Sequence, residues 1–512
     1  MPPRLPREYG LAMRTKPNHL RHLRMMVQTT AAIALATLFS NLTTANAEQV
    51  ALIHATIINP ANSAVIHDGT LVIKGDHITA VGLPNDTKIP QGARTIECTG
   101  KFILPGYIDT HVHFFQSADI FTRPDGVDLT SVRPYKDEVA WIKSHLTDVL
   151  ARYLRSGITS VIDVGGPMWN FEVRKVANST AKAPRVAVAG PLISSVARPQ
   201  LDLGDPPIVK IETPEQGREF VRRLAAHNPD YIKIWYIVPP PAASPSPGAS
   251  PTPGQSDVER AALFRPVVHA VIAESHARKL RVAVHATELE AARAAVEEGA
   301  DLLVHSVTDK PVDDAFVRLV QERGTTLTPT LVVFERYGRT FAHQLNLTPE
   351  EKAWGNPEVI ATLDVTRLPA DKVPDRIKTA LENPEAVLDR IKQTYDVALR
   401  NLKTLQDAAI PIAAGTDAGN IGTIHGPALF REFQLMKEAG LTPMQILKST
   451  TATAAKAFGG ETGTRVGAIA PGKFADLVIL NSNPLEDIAH ASDIQTVIKN
   501  GVFYPADSLL PR

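Results

Sequence analysis

Cysteine is all but missing from this chain: Cys98 stands alone among 512 residues. A disulfide within the chain needs two, so none can form, and no thiolate cluster can hold a metal. Any metal ligand must then be histidine, carboxylate or modified lysine. Cys98 lies in Thr95-Ile96-Glu97-Cys98-Thr99-Gly100, which reads as a strand end, so a buried structural thiol is expected rather than a nucleophile. An excess of charge is missing too. Lys plus Arg and Asp plus Glu number 54 each, which provides no basic field for nucleic acid and favours small-molecule chemistry. A third absence is an apolar run long enough to span a bilayer near the start: the run over 31–39 is too short for that. It follows Arg14, Lys16, Arg21 and Arg24 and precedes Ala45-Asn46-Ala47, a small-x-small cleavage signal. Residues 1–47 therefore read as a secretory signal peptide, with no Arg-Arg pair to suggest twin-arginine export. The mature chain is expected in the periplasm or secreted, with no stable membrane anchor after cleavage.

What is present divides the chain into a large middle and two β-rich ends. The length exceeds what one hydrophobic core usually serves, so a barrel with a satellite domain is a natural division. Residues 48–104 hold short β-rich runs separated by turns such as Asn59-Pro60 and Asp68-Gly69, and similar runs return within 459–512. The two ends are expected to form one small β-sandwich. Between them, residues 105–458 alternate apolar strands with helical stretches, the pattern of βα units around a parallel sheet. Strands are predicted over 107–111, 159–163, 185–189, 231–235, 282–285, 302–305, 326–333 and 412–416. Helices are predicted over 141–155, 214–226, 257–278, 288–298, 312–323 and 387–407. The fold class is α/β, a (β/α)8 TIM barrel. Two insertions interrupt it: a Pro/Ser/Ala tract at 239–256, too poor in apolar residues to pack, and a segment at 335–384 placed where it can shape a substrate cavity.

Pro105-Gly106-Tyr107-Ile108-Asp109-Thr110-His111-Val112-His113 ends an apolar run with two histidines one residue apart. On a strand they share a face, and two neutral imidazoles can pinch a zinc-type cation. Other candidates fall in or just after predicted barrel strands, the end where such folds build their sites: Lys233, His285, His305 and Asp417. A lone histidine at a strand end is usually a packing residue. Six such groups at corresponding ends are not. Tyr231 shares the inward face of Lys233 and is a weak candidate for substrate contact, as is His425 in His425-Gly426. Glu335, Arg336 and Arg198 read as surface ion-pair formers.

These motifs, with Gly157-Ile158-Thr159-Ser160-Val161-Ile162-Asp163-Val164-Gly165-Gly166, Ala414-Gly415-Thr416-Asp417-Ala418-Gly419 and Gly467-Ala468-Ile469-Ala470-Pro471-Gly472-Lys473, resemble the amidohydrolase superfamily, in its imidazolonepropionase-like and prolidase-like branch. The resemblance runs from about the start of the mature chain to its end. It implies a distorted barrel joined to a sandwich from both chain ends, and hydrolysis by a hydroxide shared between two divalent ions, zinc by default. By position, His111, His113 and Asp417 would hold one ion, His285 and His305 the other, and a CO2-derived carbamate on Lys233 would bridge them. Asp417 would shuttle the proton. The implied substrate is a small amide such as a dipeptide or N-acyl amino acid. A mononuclear imidazolone-type hydrolase with unmodified Lys233, an organophosphate or lactone hydrolase, and an exported binding protein on an inactive scaffold are alternatives. Assembly into a homo-oligomer is left open. The chain departs from many relatives after Tyr236-Ile237-Val238, which leads into the proline tract rather than a Gly-rich segment, and at Ser306-Val307-Thr308-Asp309.

Overall fold

The computed structural model describes residues 48–238 and 256–510, so the expected signal segment 1–47 and residues 239–255 of the proline tract lie outside the described residues. Both ends of the described chain enter one eight-stranded sheet. Its strands are β1 (Gln49–Asn59), β2 (Ala64–Lys74), β3 (His77–Gly82), β4 (Arg94–Glu97), β5 (Phe102–Pro105), and from the far end β15 (Leu477–Leu480), β16 (Ile494–Lys499) and β17 (Val502–Pro505). The hydrogen-bonded order is β17-β16-β15-β5-β1-β2-β3, with β4 also on β1. The strands from both chain ends that were expected to combine are thus hydrogen-bonded into one continuous sheet. β1 makes this possible because its first half pairs with β4 and its second half with β5. The register shifts between Leu52 and Ile57, around His54 at φ 59°, divide the two halves. Leu52, Ile57, Leu71, Cys98, Ile103, Leu477 and Ile498 cluster as its core.

The middle forms a ring of parallel strands with helices outside. β6 (Tyr107–Val112), β7 (Ile158–Asp163) and β8 (Arg185–Val188) pair in order. So do β11 (Tyr231–Trp235), β12 (Arg281–His285), β13 (Leu302–Val304) and β14 (Thr326–Thr328). The short strands β9 (Leu192–Ser194) and β10 (Ile208–Lys210) extend the sheet beside β11. β8 meets the β11 side through Asp230 N–H to Val188 O at 2.8 Å. The predicted strand at 412–416 is no ladder strand. It is an extended segment that closes the ring by isolated bonds, Ala413 N–H to Leu327 O at 2.8 Å on one side and Thr110 N–H to Ala414 O at 3.0 Å on the other. Gly415 permits the approach, since a Cβ there would stand 2.5 Å from Thr328 Cγ2 and 2.9 Å from His111 N.

Other differences are local. β14 stops at Thr328 rather than 333, because Pro329 and a left-handed Thr330 (φ 45°) turn the apolar run Leu331-Val332-Val333 into the start of helix Leu331–Phe341. Its first N–H groups at Leu331 and Val332 donate to the buried Glu432 carboxylate at 2.9 and 2.8 Å, which settles helix over strand. The predicted helix 141–155 is two, Tyr135–Ser144 and Leu146–Arg155, and 257–278 is also two, Asp257–Ala262 and Arg265–Ala277. Within 335–384 the scattered signals resolve into the rest of Leu331–Phe341 and helices Pro349–Trp354, Pro357–Thr362 and Asp375–Glu382. Among the described residues, no helix is long and apolar enough to cross a membrane.

Candidate active site

The strands carry their polar residues to the same end of the ring. The β11/β12 register sets Trp235 beside His285, and the β12/β13 register sets His285 beside Val304, the residue before His305. His111 and His113, one on β6 and one just past it, bring their Nε2 atoms to 3.3 Å. Asp417 Oδ1 lies 3.3 Å from His111 Nε2 and 3.2 Å from His113 Nε2. The rings of His111 and His305 are 4.9 Å apart, and those of His285 and His305 4.4 Å. One ligand atom each from His111, His305 and Asp417 falls within 4.8 Å of the others. Together with Lys233, these residues line a cavity of about 190 Å³. All six predicted ligands therefore meet.

Neighbouring groups aim these side chains. Gly165 O accepts from His113 Nδ1 at 2.6 Å, which leaves Nε2 facing the cavity as an acceptor. Asp163 sets that carbonyl: it accepts from Gly165 N–H at 3.2 Å and from Asn170 Nδ2 at 2.7 Å. Asp109 joins the two halves of the ring seam, accepting from the N–H groups of His111 and Thr416, each at 3.1 Å, and from Thr416 Oγ1 at 2.7 Å. His305 bonds Thr330 Oγ1 through Nδ1 at 2.6 Å. His305 and Asp417 both sit at positive φ, 76° and 61°, a backbone state that side-chain-bearing residues adopt at a cost.

Burial fixes the charge states. It holds His111 down to about 3 and His285 and His305 well below the ordinary histidine range, so all three imidazoles are neutral, the form that binds metal. Burial also brings Lys233 down to about 7, against the opposing pull of Asp417. Burial works to raise Asp417 as well, but the imidazoles of His111 and His113 outweigh it and keep the carboxyl well below its usual range. Lys233 Nζ, His111 Nδ1 and Asp417 Oδ1 are buried with no hydrogen-bond partner among the described residues. Unpartnered polar atoms are expensive in a protein interior, and a cluster of imidazole, carboxylate and amine at one point fits divalent ions as the missing partners.

The two weaker candidates lie elsewhere. His425 is buried behind the cavity wall, stacked on Phe114; its Nε2 donates to Gln116 O at 2.8 Å and its Nδ1 accepts from the Tyr153 hydroxyl at 2.8 Å. With both nitrogens taken, it braces Gln116 and does not touch the cavity. Tyr231 does face inward with Lys233, but at the opposite end of the strand, where its hydroxyl donates to Ala457 O and its ring packs with Ala283 and Phe458. Glu335 and Arg336 are not on the surface. Arg336 is buried against Glu351, and Glu335 against Arg339 and Arg431. Arg198 is partly exposed near Asp125. Gln116, Arg123, Tyr337 and Asn420, which no sequence motif singles out, also line the cavity. Tyr337 comes from the insertion expected to shape it; the others sit in loops with no periodic signal.

The profile of the amidohydrolase family matches residues 102–503. Ochratoxinase of Aspergillus niger is 23% identical over 475 residues, covering 86% of this chain and 83% of that protein. Imidazolonepropionase of Hyphomonas neptunium is 40% identical over 67 residues, 12% of this chain and 16% of that protein. Among solved structures, a Xaa-Pro dipeptidase with methionine bound in its active site superposes with a TM-score of 0.65 at 22% identity, over 90% of this chain and 100% of that one.

Proposed function

The chain belongs to the amidohydrolase family, and from that premise we propose that it hydrolyses the C–N bond of a small substrate, a dipeptide or N-acyl amino acid. The observation that carries this reading is the convergence of His111, His113, Lys233, His285, His305 and Asp417 on one cavity, with Lys233 Nζ and Asp417 Oδ1 lacking a hydrogen-bond partner among the described residues. In this reading the six hold two divalent ions, zinc by default. His111, His113 and Asp417 serve one and His285 and His305 the other. Lys233, an amine already biased toward its neutral form, would take up CO2 as a carbamate with loss of one proton and so supply an anionic oxygen ligand to both. Ions held there would polarise the amide carbonyl and make water acidic enough to attack at neutral pH.

The chain's own side chains do the rest. Asp417, held ionised by the two imidazoles, can accept a proton from the attacking water at a carboxylate oxygen. It can then pass that proton to the amide nitrogen, which leaves poorly as an anion. Phe115, Leu192, Ile208 and Trp235 give the cavity an apolar wall that seats a non-polar acyl group and thins the water around the reacting bond. Export through the segment at 1–47 belongs to the same reading and implies that the metals are acquired outside the cytoplasm.

A hydrolysis screen of dipeptides and N-acyl amino acids with the metal-reconstituted mature chain tests it. Asp417→Asn, which keeps an oxygen donor but no base, should retain metal and lose about 10²- to 10⁴-fold in turnover. Equal rates in the two samples would sink the assignment.

A further inference from the structure

Among the described residues, three charged side chains line the cavity: Arg123, Lys233 and Asp417. The last two belong to the proposed metal cluster, which leaves Arg123 without a role. Arg123 lies in the loop after β6 and is pinned from three parts of the chain. Its Nε and Nη2 donate to Asp125 Oδ1 and Oδ2 at 2.7 and 2.8 Å. Its Nη1 donates to Asn420 Oδ1 at 2.9 Å and to the Tyr337 hydroxyl at 3.3 Å. A guanidinium has five N–H groups, so these four contacts leave an Nη2–H for a ligand.

Asp125 does not cancel the local charge by itself. Arg198 approaches the same carboxylate at 3.5 Å and lies 4.9 Å above the ring of Trp235, another cavity residue. Two guanidiniums therefore share one carboxylate beside the cavity. The anchor is also in register with the chemistry. Asn420, which receives Arg123, donates its Nδ2–H to the main-chain oxygen of Asp417 at 3.1 Å. A negatively charged group on Arg123 is thus held at a fixed offset from Asp417, while the apolar wall of Phe115, Leu192, Ile208 and Trp235 remains for the uncharged part of the molecule.

We propose that Arg123 recognises a free carboxylate on the leaving amino acid, so that the enzyme selects N-acyl amino acids and dipeptides over neutral amides. This rests on the amide-hydrolase reading above. Tyr337 and Asn420 act as positioning residues that hold the guanidinium in place before substrate arrives, and a preset fork loses less on binding than a free one.

Calorimetry on the metal-loaded full chain tests it with N-benzenesulfonyl-phenylalanine, which has no amide to cleave, against the same molecule with its carboxylate converted to a carboxamide. The acid should bind about ten- to a hundredfold more tightly. Arg123→Met should abolish that preference with the carboxamide's affinity unchanged, and Arg123→Lys should keep part of it. Arg123→Met with Asp125→Asn repeats the comparison without stranding a carboxylate, should the single variant fold poorly. The inference falls if the wild-type chain shows no preference, if neither probe binds, if the preference survives in Arg123→Met, or if both probes weaken equally, which would make Arg123 only a loop tie. Loss of preference in the variant without turnover of any amide by the wild type would keep this inference and remove the amide-hydrolase reading. Turnover without a charge preference would do the reverse.

Discussion

At the scale of single residues, burial has opposite chemical results at the proposed metal site and at the thiol. It makes the imidazoles of His111, His285 and His305 neutral and moves Lys233 toward a free amine, the forms in which these groups can accept a metal or CO2. The same force pushes the Cys98 thiol up to about 11, which removes its nucleophile. At pH 8 the thiolate fraction of such a group is about a hundredfold below that of an exposed cysteine. Iodoacetamide should therefore leave Cys98 essentially unmodified in the folded chain at pH 8 and label it readily in urea, by mass spectrometry; fast labelling of the folded chain would contradict the burial. The six residues that converge on the cavity were legible in the sequence because each is tied to a strand or its end, where period and position define a direction. Arg123 and Asn420 were not, because their roles arise from loops that meet only in space. His425 misled because a histidine beside a glycine looks the same whether its ring faces a cavity or, as here, Phe114 and Tyr153.

At the scale of elements, the seam segment and the helix after β14 mark where pattern and structure part. An apolar run is equally consistent with a ladder strand and with an extended segment wedged between two strands; the bonds to Leu327 and Thr110 decide it, and neither is local. Likewise, Leu331-Val332-Val333 has strand composition, but Glu432, about a hundred positions along the chain, caps it as helix. That helix is fastened to Pro349–Trp354 by Arg336, whose Nη2 lies 2.8 and 3.0 Å from the two oxygens of Glu351, both side chains almost wholly buried. Removing one member of such a pair strands the other charge. Glu351→Gln should cost about 3–5 kcal/mol in urea unfolding. It should also lower turnover in proportion to the Tyr337 displacement it causes. A loss under 1 kcal/mol would show that water reaches Arg336.

At the scale of the whole molecule, the barrel and the end sheet are joined through Asp476. Its carboxylate accepts from Arg185 Nε of β8 at 3.0 Å, from Lys499 Nζ of β16 at 3.0 Å and from Asn500 N–H at 2.7 Å. Burial holds Lys499 down to about 8, below its ordinary 10.5. Between those values the unfolded chain binds the proton that the folded chain has released, so stability rises with pH across that window, by at most about 1.4 kcal/mol per pH unit. Below pH 8 this contribution is lost. Urea unfolding at pH 7.5 to 10.5 should show the rise in the wild type and a smaller one in Lys499→Met; identical slopes would mean that Lys499 titrates normally. That both β-rich chain ends contribute strands to one end unit was readable from composition alone. The merging of that unit into one sheet was not, since strand order depends on which edges remain free after the barrel has formed.

That shared sheet also dictates timing. β5, made early, lies between β1 and β15, and β15 leaves the ribosome only after the whole barrel has been synthesised. Until then the edge of β5 is open, and the N-terminal strands have no partner on that side. The polypeptide can be clasped only after synthesis of its last tenth, so a nascent or truncated chain should present a sticky flank to chaperones while a finished one does not.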